Sequence, residues 1–307
     1  MRSEAIRRLA ALTPMLRPDI SLWRPRTYPA SLGRLGDLEV KLAVTPFEVR
    51  RAQALRYRVF YEEMSAVSDF RTRQTRRDAD RFDRFCDHLL VLDHSRKRYG
   101  FGLPEIVGTY RLLRQDVAEK SGGFYGDGEF DFSPLLTRKP GLRFLELGRS
   151  CVLPEYRNKR TLELLWHGVW AYVLRHGLDV MIGCASLEGT DPQKLARQLS
   201  FLHHRHRASA EWTVAAREDR RVEMDLMPAA AIDLRAALRA LPPLIKGYLR
   251  LGAFIGDGAV IDRQFGTTDV AIILPVAGIA SRYVDHYGAD AGRYAVKTLE
   301  DAPLVAA

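Results

Sequence analysis

The chain has 307 residues, 47% apolar and 28% charged, enough for one large domain or two small ones around a full core. No run of about eighteen apolar residues occurs, which excludes a membrane-spanning helix, and Cys86, Cys151 and Cys184 lack the spacing of a disulfide framework or zinc site. A formal net charge of +9 calls for an acidic partner: nucleic acid, anionic lipid or an acidic protein.

Residues 1–17 set Ile6, Leu9, Leu12 and Leu16 against Arg2, Arg7, Arg8 and Arg17, without the continuous apolar stretch of a secretory signal. Such a basic arm suits either contact with an anionic membrane surface or simple fraying. Pro18, Pro25, Pro29, Gly33 and Gly36 make residues 18–36 a linker. A first strand is expected over 38–44. Thr45-Pro46-Phe47-Glu48 then combines a cap, a first-turn proline and a capping-box glutamate, so a helix starts there. Ala52, Leu55, Val59 and Phe60 give it a core face. The next stretch carries Arg71, Arg73, Arg76, Arg77, Arg81 and Arg84 beside Asp69, Asp78, Asp80, Asp83 and Asp87, the usual pattern of a solvated run.

Strands are expected at 88–93 and 105–114, followed by a glycine-bearing excursion over 115–140 of the length that often serves function. Residues 144–153 read as a strand closed by Pro154. After the basic turn Arg157-Asn158-Lys159-Arg160, Leu162, Leu165, Trp166, Val169, Val173 and Leu174 repeat at helical period from about Thr161, with Gly177 as C-terminal cap. A strand follows at 179–185 and a helix from Asp191-Pro192 toward His203. Residues 232–251 read as helical around Pro242 and Pro243. Residues 259–261 and 269–274 read as a hairpin.

Few of these features carry chemistry alone. The His203-His204-Arg205-His206 run has no cysteine or carboxylate at ligand spacing, and no metal site is expected. His88 and Asp93 match an H-x4-D pattern, but that offset on a strand points them to opposite faces. Ser186 lacks a nucleophile elbow, Cys151 lacks a base, and both glycine-rich nucleotide motifs are missing. What remains is Arg56, Asp80, Asp83, Arg111, Glu146 and Arg149. Glu146 and Arg149 would face opposite sides of a regular strand, and Gly148 between them could support a bulge that turns both into one cleft. A helix N-terminus after a basic turn is a natural seat for phosphate.

Arg56-x3-Phe60, Asp80-x2-Asp83, Arg111 and Glu146-x2-Arg149 resemble the motif set of the acyl-homoserine-lactone synthases. The strings ELGRSCVLPEYRNKRTLELLWHGVWAYV (146–173), GCASLEGTDP (183–192), FLHHRH (201–206) and GYLRLGAFIGDGAVIDRQFGTTDV (247–270) more closely resemble the L-ornithine N-alpha-acyltransferases. The resemblance covers roughly residues 40–295. It implies an α+β, acetyltransferase-like (GNAT-type) three-layer fold, with a central mixed, mostly antiparallel sheet flanked by helices. Residues 1–36 would be the arm and linker, 37–228 the acyltransferase core, and 229–307 the helices and hairpin that complete the same fold.

The implied reaction moves a 3-hydroxyacyl group from acyl carrier protein to the alpha-amine of L-ornithine, giving lyso-ornithine lipid, with no bound cofactor. Glu146 and Arg149 would be catalytic. Asp80, Asp83, Arg56, Phe60 and Arg111 would bind substrate, the two aspartates holding its ammonium groups and Arg111 or Arg149 its carboxylate. Arg157, Asn158, Lys159, Arg160 and Thr161 would seat the donor's phosphopantetheine. The usual acetyl-coenzyme A loop is Gln/Arg-x-x-Gly-x-Gly/Ala, and this turn has neither glycine. A carrier-borne pantetheine, with a single phosphodiester, needs only a looser cradle. An acidic carrier protein would also give the positive charge a use without nucleic acid. The place of action would be the cytoplasm, with peripheral contact to the inner membrane. An autoinducer synthase and a non-enzymatic basic lipid-binding protein remain alternatives.

Overall fold

The computed structural model describes residues 31–98 and 102–283, so the basic arm expected over 1–17 lies outside the described residues. The linker expected through Gly36 ends earlier, because Gly33–Leu35 (β1) already pairs with Leu38–Leu42 (β2). The capping box forms as its residues dictate: Thr45 accepts from the Glu48 N–H, and Glu48 accepts from the N–H groups of Thr45 and Val44. It launches Pro46–Tyr57 (α1), which runs into a π-helical turn at Arg58–Glu63. Phe70–Thr75 (α2) and a 3-10 turn at Arg81–Arg84 lead to Asp87–Arg98 (β3) and Leu103–Arg114 (β4).

The excursion is structured. It contains Gln115–Ser121 (α3), a 3-10 turn at Tyr125–Gly128, Phe130–Asp131 (β5) and Ser133–Arg138 (α4). Phe144–Val152 (β6) is followed by Lys159–His176 (α5), capped by Asn158 and closed by Gly177 at φ +54°. Next come Val180–Glu188 (β7), Ala196–His206 (α6), Ala215–Ala216 (β8) and Arg221–Val222 (β9). Asp191 starts a turn and not the helix expected of it, with α6 beginning five residues later. The helical stretch over 232–251 divides at Pro242-Pro243 into Leu234–Ala240 (α7) and Pro243–Leu251 (α8), since proline supplies no N–H to continue a helix. Phe254–Asp262 (β10) and Thr267–Pro275 (β11) form the expected hairpin, and Val276–Tyr283 (α9) follows.

The described strands make one sheet in the order β1-β2-β3-β4-β6-β7-β11-β10-β8-β5, with β9 beside β10. The pairs β6–β7 and β8–β10 are parallel and the others antiparallel. This is the three-layer, mostly antiparallel arrangement expected. Helix α5 crosses one face, with Gly168 set against Val40 and Leu89. Phe82 and the excursion's Phe124, Phe130 and Phe132 cover part of the other face, packing with Phe144, Ile182 and Ile273 in a smaller apolar core.

One interruption shapes the molecule. Strands β6 and β7 pair only at Phe144↔Val180, Leu145↔Met181 and Glu146↔Ile182. Beyond that, β6 stays with β4 and β7 stays with β11, which opens a fork immediately after Glu146. At its apex Gly183 lies so close to the Leu147 carbonyl that a Cβ there would sit 2.4 Å from the oxygen. A Gly183→Ala substitution should therefore lower stability by about 1–3 kcal/mol, seen as an earlier midpoint in urea unfolding.

Candidate active site

The bulge expected in β6 is present, and its left-handed residue is Arg149, not the neighbouring glycine. The β4–β6 register passes from Thr109↔Cys151 to Arg111↔Gly148, so Arg149 and Ser150 together oppose Tyr110. Arg149 takes φ +50°, an uncommon value for a residue with a side chain. The turn brings Arg149 and Glu146 to the same residue of the excursion. The Arg149 Nη2 donates to the Tyr125 hydroxyl at 3.1 Å, while the Tyr125 N–H donates to Glu146 Oε2 at 2.8 Å. The Arg149 guanidinium stacks on the rings of Tyr125 and Phe265, 4.6 and 4.9 Å from their centroids. Phe60 is buried and meets Phe265 edge-on at 5.5 Å, so it supports the platform under Arg149.

The mixed-charge run proves in part to be core. Asp78 and Asp83 are buried, and Arg56 on α1 is fully so. Arg56 donates to both oxygens of Asp83 at 2.9 Å and to the Asp78 carbonyl at 2.5 Å, and its Nε lies 2.7 Å from the Asp78 carboxylate. Arg111 Nη1 reaches Asp80 at 2.6 Å and Asp83 at 3.3 Å, and Arg149 lies 3.2 Å from Asp78 and 3.5 Å from Asp80. Burial alone would raise the Asp83 carboxyl, but Arg56 beside it prevails and holds it well below the usual range. Burial pushes His88, which bonds the Asp83 carbonyl, down to about 4, so its imidazole is neutral.

These contacts correct one expected role. Asp83 has both oxygens occupied by Arg56, with Gln53, Arg111 and the Asp80 N–H adding to them, so it positions the arginines and is not free to hold a substrate ammonium. Asp80 caps the 3-10 turn through Phe82 N–H and keeps a partly exposed edge. Arg56 likewise serves within the network. Arg111 differs: its Nη2 is buried and has no partner among the described residues, which leaves a donor for an incoming anion.

Glu146 accepts from Tyr125 N–H at 2.8 Å and from Gly126 N–H at 2.6 Å. Burial pushes its carboxyl up to about 7, against the pull of those two donors and of Arg111. A buried carboxyl poised at neutral pH can take a proton from an ammonium or hydroxyl. Sequence spacing gave no sign of Tyr125 and Gly126, because backbone donors belong to no motif. The length of the excursion was their sole signal.

The expected donor cradle divides. Asn158 caps α5 through the Thr161 N–H, and Thr161 is fully buried, so it helps build the helix start and offers no surface to a ligand. The Arg157 guanidinium is bidentate to Glu63, at 2.5 and 2.7 Å, and bonds the Val152 carbonyl, so it ties the turn to the π-helix. Lys159 and Arg160 remain as exposed cations, one near Glu163 at 3.5 Å and the other touching the Leu35 carbonyl at 3.3 Å.

Two further groups come together that spacing did not foretell. Ligand atoms of Glu129, Asp262 and Asp269 lie within 4.8 Å of one another, as do those of His203, His204 and Asp225. In the second group, which is part-exposed, His204 Nε2 lies 3.0 Å from Asp225 and also 3.0 Å from the Met227 carbonyl. Removing Asp83 tests the arginine network. Asp83→Ala should destabilise the fold by about 3–5 kcal/mol, because Arg56 would be left buried with too few partners, measured by thermal or urea unfolding.

The acetyltransferase (GNAT) domain family matches residues 55–167. The chain is 58% identical over 268 residues to the L-ornithine N(alpha)-acyltransferase of Rhizobium meliloti (strain 1021), spanning 87% of this chain and 90% of that one. It is 56% identical over 266 residues to the L-ornithine N(alpha)-acyltransferase of Brucella abortus (strain 2308), spanning 86% and 93%. A solved N-acyl amino acid synthase, FeeM from uncultured soil microbes, is similar in chain path at a TM-score of 0.46 and 12% identity, over 80% of this chain and 94% of that one. With relatives of this identity over most of its length, the chain belongs to the L-ornithine N(alpha)-acyltransferase family and is an acyltransferase built on the GNAT fold.

Proposed function

We propose that the protein transfers a 3-hydroxyacyl group from acyl carrier protein to the α-amine of L-ornithine, giving lyso-ornithine lipid. The observation that carries this reading is the pairing of Glu146, a buried carboxyl raised to about 7, with the partnerless Arg111 Nη2 on the neighbouring strand. An α-amino acid needs both: a base for its ammonium and a guanidinium for its carboxylate. Of the two arginines considered for the carboxylate, Arg149 is engaged by Tyr125 and two aspartates, and Arg111 has the open nitrogen.

The donor's pantetheine enters the β6–β7 fork, with its phosphodiester near Lys159 and Arg160 at the start of α5. Glu146 takes a proton from the ammonium, and the freed amine attacks the thioester carbonyl. A β6 N–H facing the fork steadies the oxyanion, the C–S bond breaks, and the thiolate leaves on the carrier protein with a proton. Lys159 and Arg160 also face an acidic carrier protein favourably. No helix among the described residues is long and apolar enough to cross a membrane, which fits a protein that works beside the inner membrane and not within it.

Pure protein incubated with 3-hydroxyacyl carrier protein and ornithine should yield the lyso-lipid. Release of methylthioadenosine from S-adenosylmethionine would instead mark an autoinducer synthase, and no transfer at all would refute both. Glu146→Gln should stay folded and lose about 10²–10⁴ in kcat. Because the base is the ionised form, wild-type kcat should fall as pH drops through about 7, and Glu146→Gln should abolish that limb. Unchanged turnover in the variant removes Glu146 from the mechanism. Lys159→Glu with Arg160→Glu should raise the KM for carrier protein in a salt-dependent way and leave the KM for ornithine unchanged.

A further inference from the structure

The Glu129–Asp262–Asp269 cluster has no part in the chemistry described above. Its members come from the excursion and from both strands of the C-terminal hairpin. Glu129 and Asp269 are each only 7% exposed. For three corners no more than 4.8 Å apart, an atom at their centre lies within about 2.8 Å of each, inside the reach of an N–H···O hydrogen bond. One ammonium with three donors therefore satisfies all three carboxylates at once.

Asp269 accepts from the Thr267 hydroxyl and Asp262 from the Gln264 and Phe265 N–H groups, yet two observations leave the cluster short of positive charge. Glu129 Oε2 is buried with no partner among the described residues, an arrangement that is costly unless a ligand completes it. The protein's own charges answer it weakly: Arg220 comes no closer than 4.0 Å to Glu129, and Arg149 acts on Asp269 only at longer range. Burial, reinforced by Asp269 and Asp262, pushes Glu129 up to about 7, and burial raises Asp269 as well.

The cluster also adjoins the reaction centre. Glu129 N–H donates to the Gly126 carbonyl, and the Gly126 N–H holds Glu146 of β6, so one turn carries Glu129 and anchors Glu146. A Cβ on Gly126 would lie 3.1 Å from Glu146 Oε1 and 3.3 Å from the Cys184 sulfur. The Cys184 thiol is raised by burial and by Glu129, Asp269 and Glu146 together, and it hydrogen-bonds Glu129, so it is within electrostatic reach of both carboxylate sites. Along β7, Ser186 follows Cys184 by two residues and pairs with Asp269.

We propose that Glu129, Asp262 and Asp269 form the subsite for the side-chain ammonium of a dibasic amino acid, the feature that selects ornithine over neutral amino acids. This rests on the reading that an amino acid places its α-amine at Glu146 and its carboxylate at Arg111. The terminal ammonium then extends past Cys184 into the three carboxylates. Asp80 and Asp83 are not required for it.

Calorimetric binding of L-ornithine and L-norvaline, the same side chain without the terminal amine, tests the subsite on the full chain without donor. Wild type should bind ornithine at least about a hundredfold more tightly. Glu129→Gln and Asp269→Asn should each narrow the gap by about tenfold or more by weakening ornithine alone, since each removes a charged hydrogen-bond acceptor. Equal binding of the two amino acids by wild type overturns the proposal, as does an unchanged gap in both variants. So does stoichiometric binding of Mg2+, Mn2+ or Ca2+ that Glu129→Gln abolishes while the gap persists, because the cluster is then a metal site. Acyl transfer measured in parallel separates the two readings: ornithine bound selectively but never acylated refutes the proposed reaction and leaves the subsite standing.

Discussion

The structure depends on a buried exchange of charge between Arg56, Arg111 and Arg149 and Asp78, Asp80 and Asp83. Arg56 is fully enclosed, and an unpaired ion there would cost several kcal/mol in lost hydration. Three carboxylates match three guanidiniums, so the network is neutral as a whole, and each guanidinium lies within ion-pair distance of two of the aspartates. The network joins α1, the 78–84 segment, β4 and the β6 bulge. Each of these carries a group that none of the others could hold alone. Arg149 can keep its left-handed backbone because its guanidinium is fixed at Asp78, Asp80 and Tyr125.

Neutrality inside the network is what gives the remaining groups their chemical character. Arg111 gives one nitrogen to Asp80 and Asp83 and keeps the other open. Glu146 lies outside the ion pairs, held by backbone donors only, so burial and not a guanidinium dominates its proton affinity. Had the Glu146 carboxylate been paired directly with Arg149, it would ionise like an ordinary surface acid and be a poor match to neutral pH. The bulge avoids that pairing by turning Arg149 toward the aspartates. The excursion then supplies Tyr125 and Gly126 on the side where the β6–β7 fork opens.

The excursion has two tasks with one short turn. Residues 125–129 fix Glu146 by two N–H groups and carry Glu129 toward the hairpin aspartates. Phe124, Phe130 and Phe132, packed on Phe144 and Ile182, hold that turn against the sheet, so the polar groups sit on an apolar mount. This arrangement explains why the glycine at 126 lies against a carboxylate and a thiol.

Local physics made much of the framework legible. The capping box at Thr45, the helical period of α5, the cap at Gly177 and the terminal hairpin all follow from neighbours in sequence, and they form as expected. The set Arg56, Asp80, Asp83, Arg111, Glu146 and Arg149 was also visible, because charges inside apolar strands and helices demand partners. Which partner each takes was not visible. Asp83 faces Arg56 across 27 positions, Glu129 meets Asp262 and Asp269 from more than a hundred residues away, and Arg157 turns back to Glu63. Residue types alone laid out a charged framework with a basic turn before a long helix, and the motif strings carried the resemblance to an acyltransferase family. Only the tertiary structure decided which charges cancel and which stay open, because desolvation and pairing depend on distances that sequence separation does not fix.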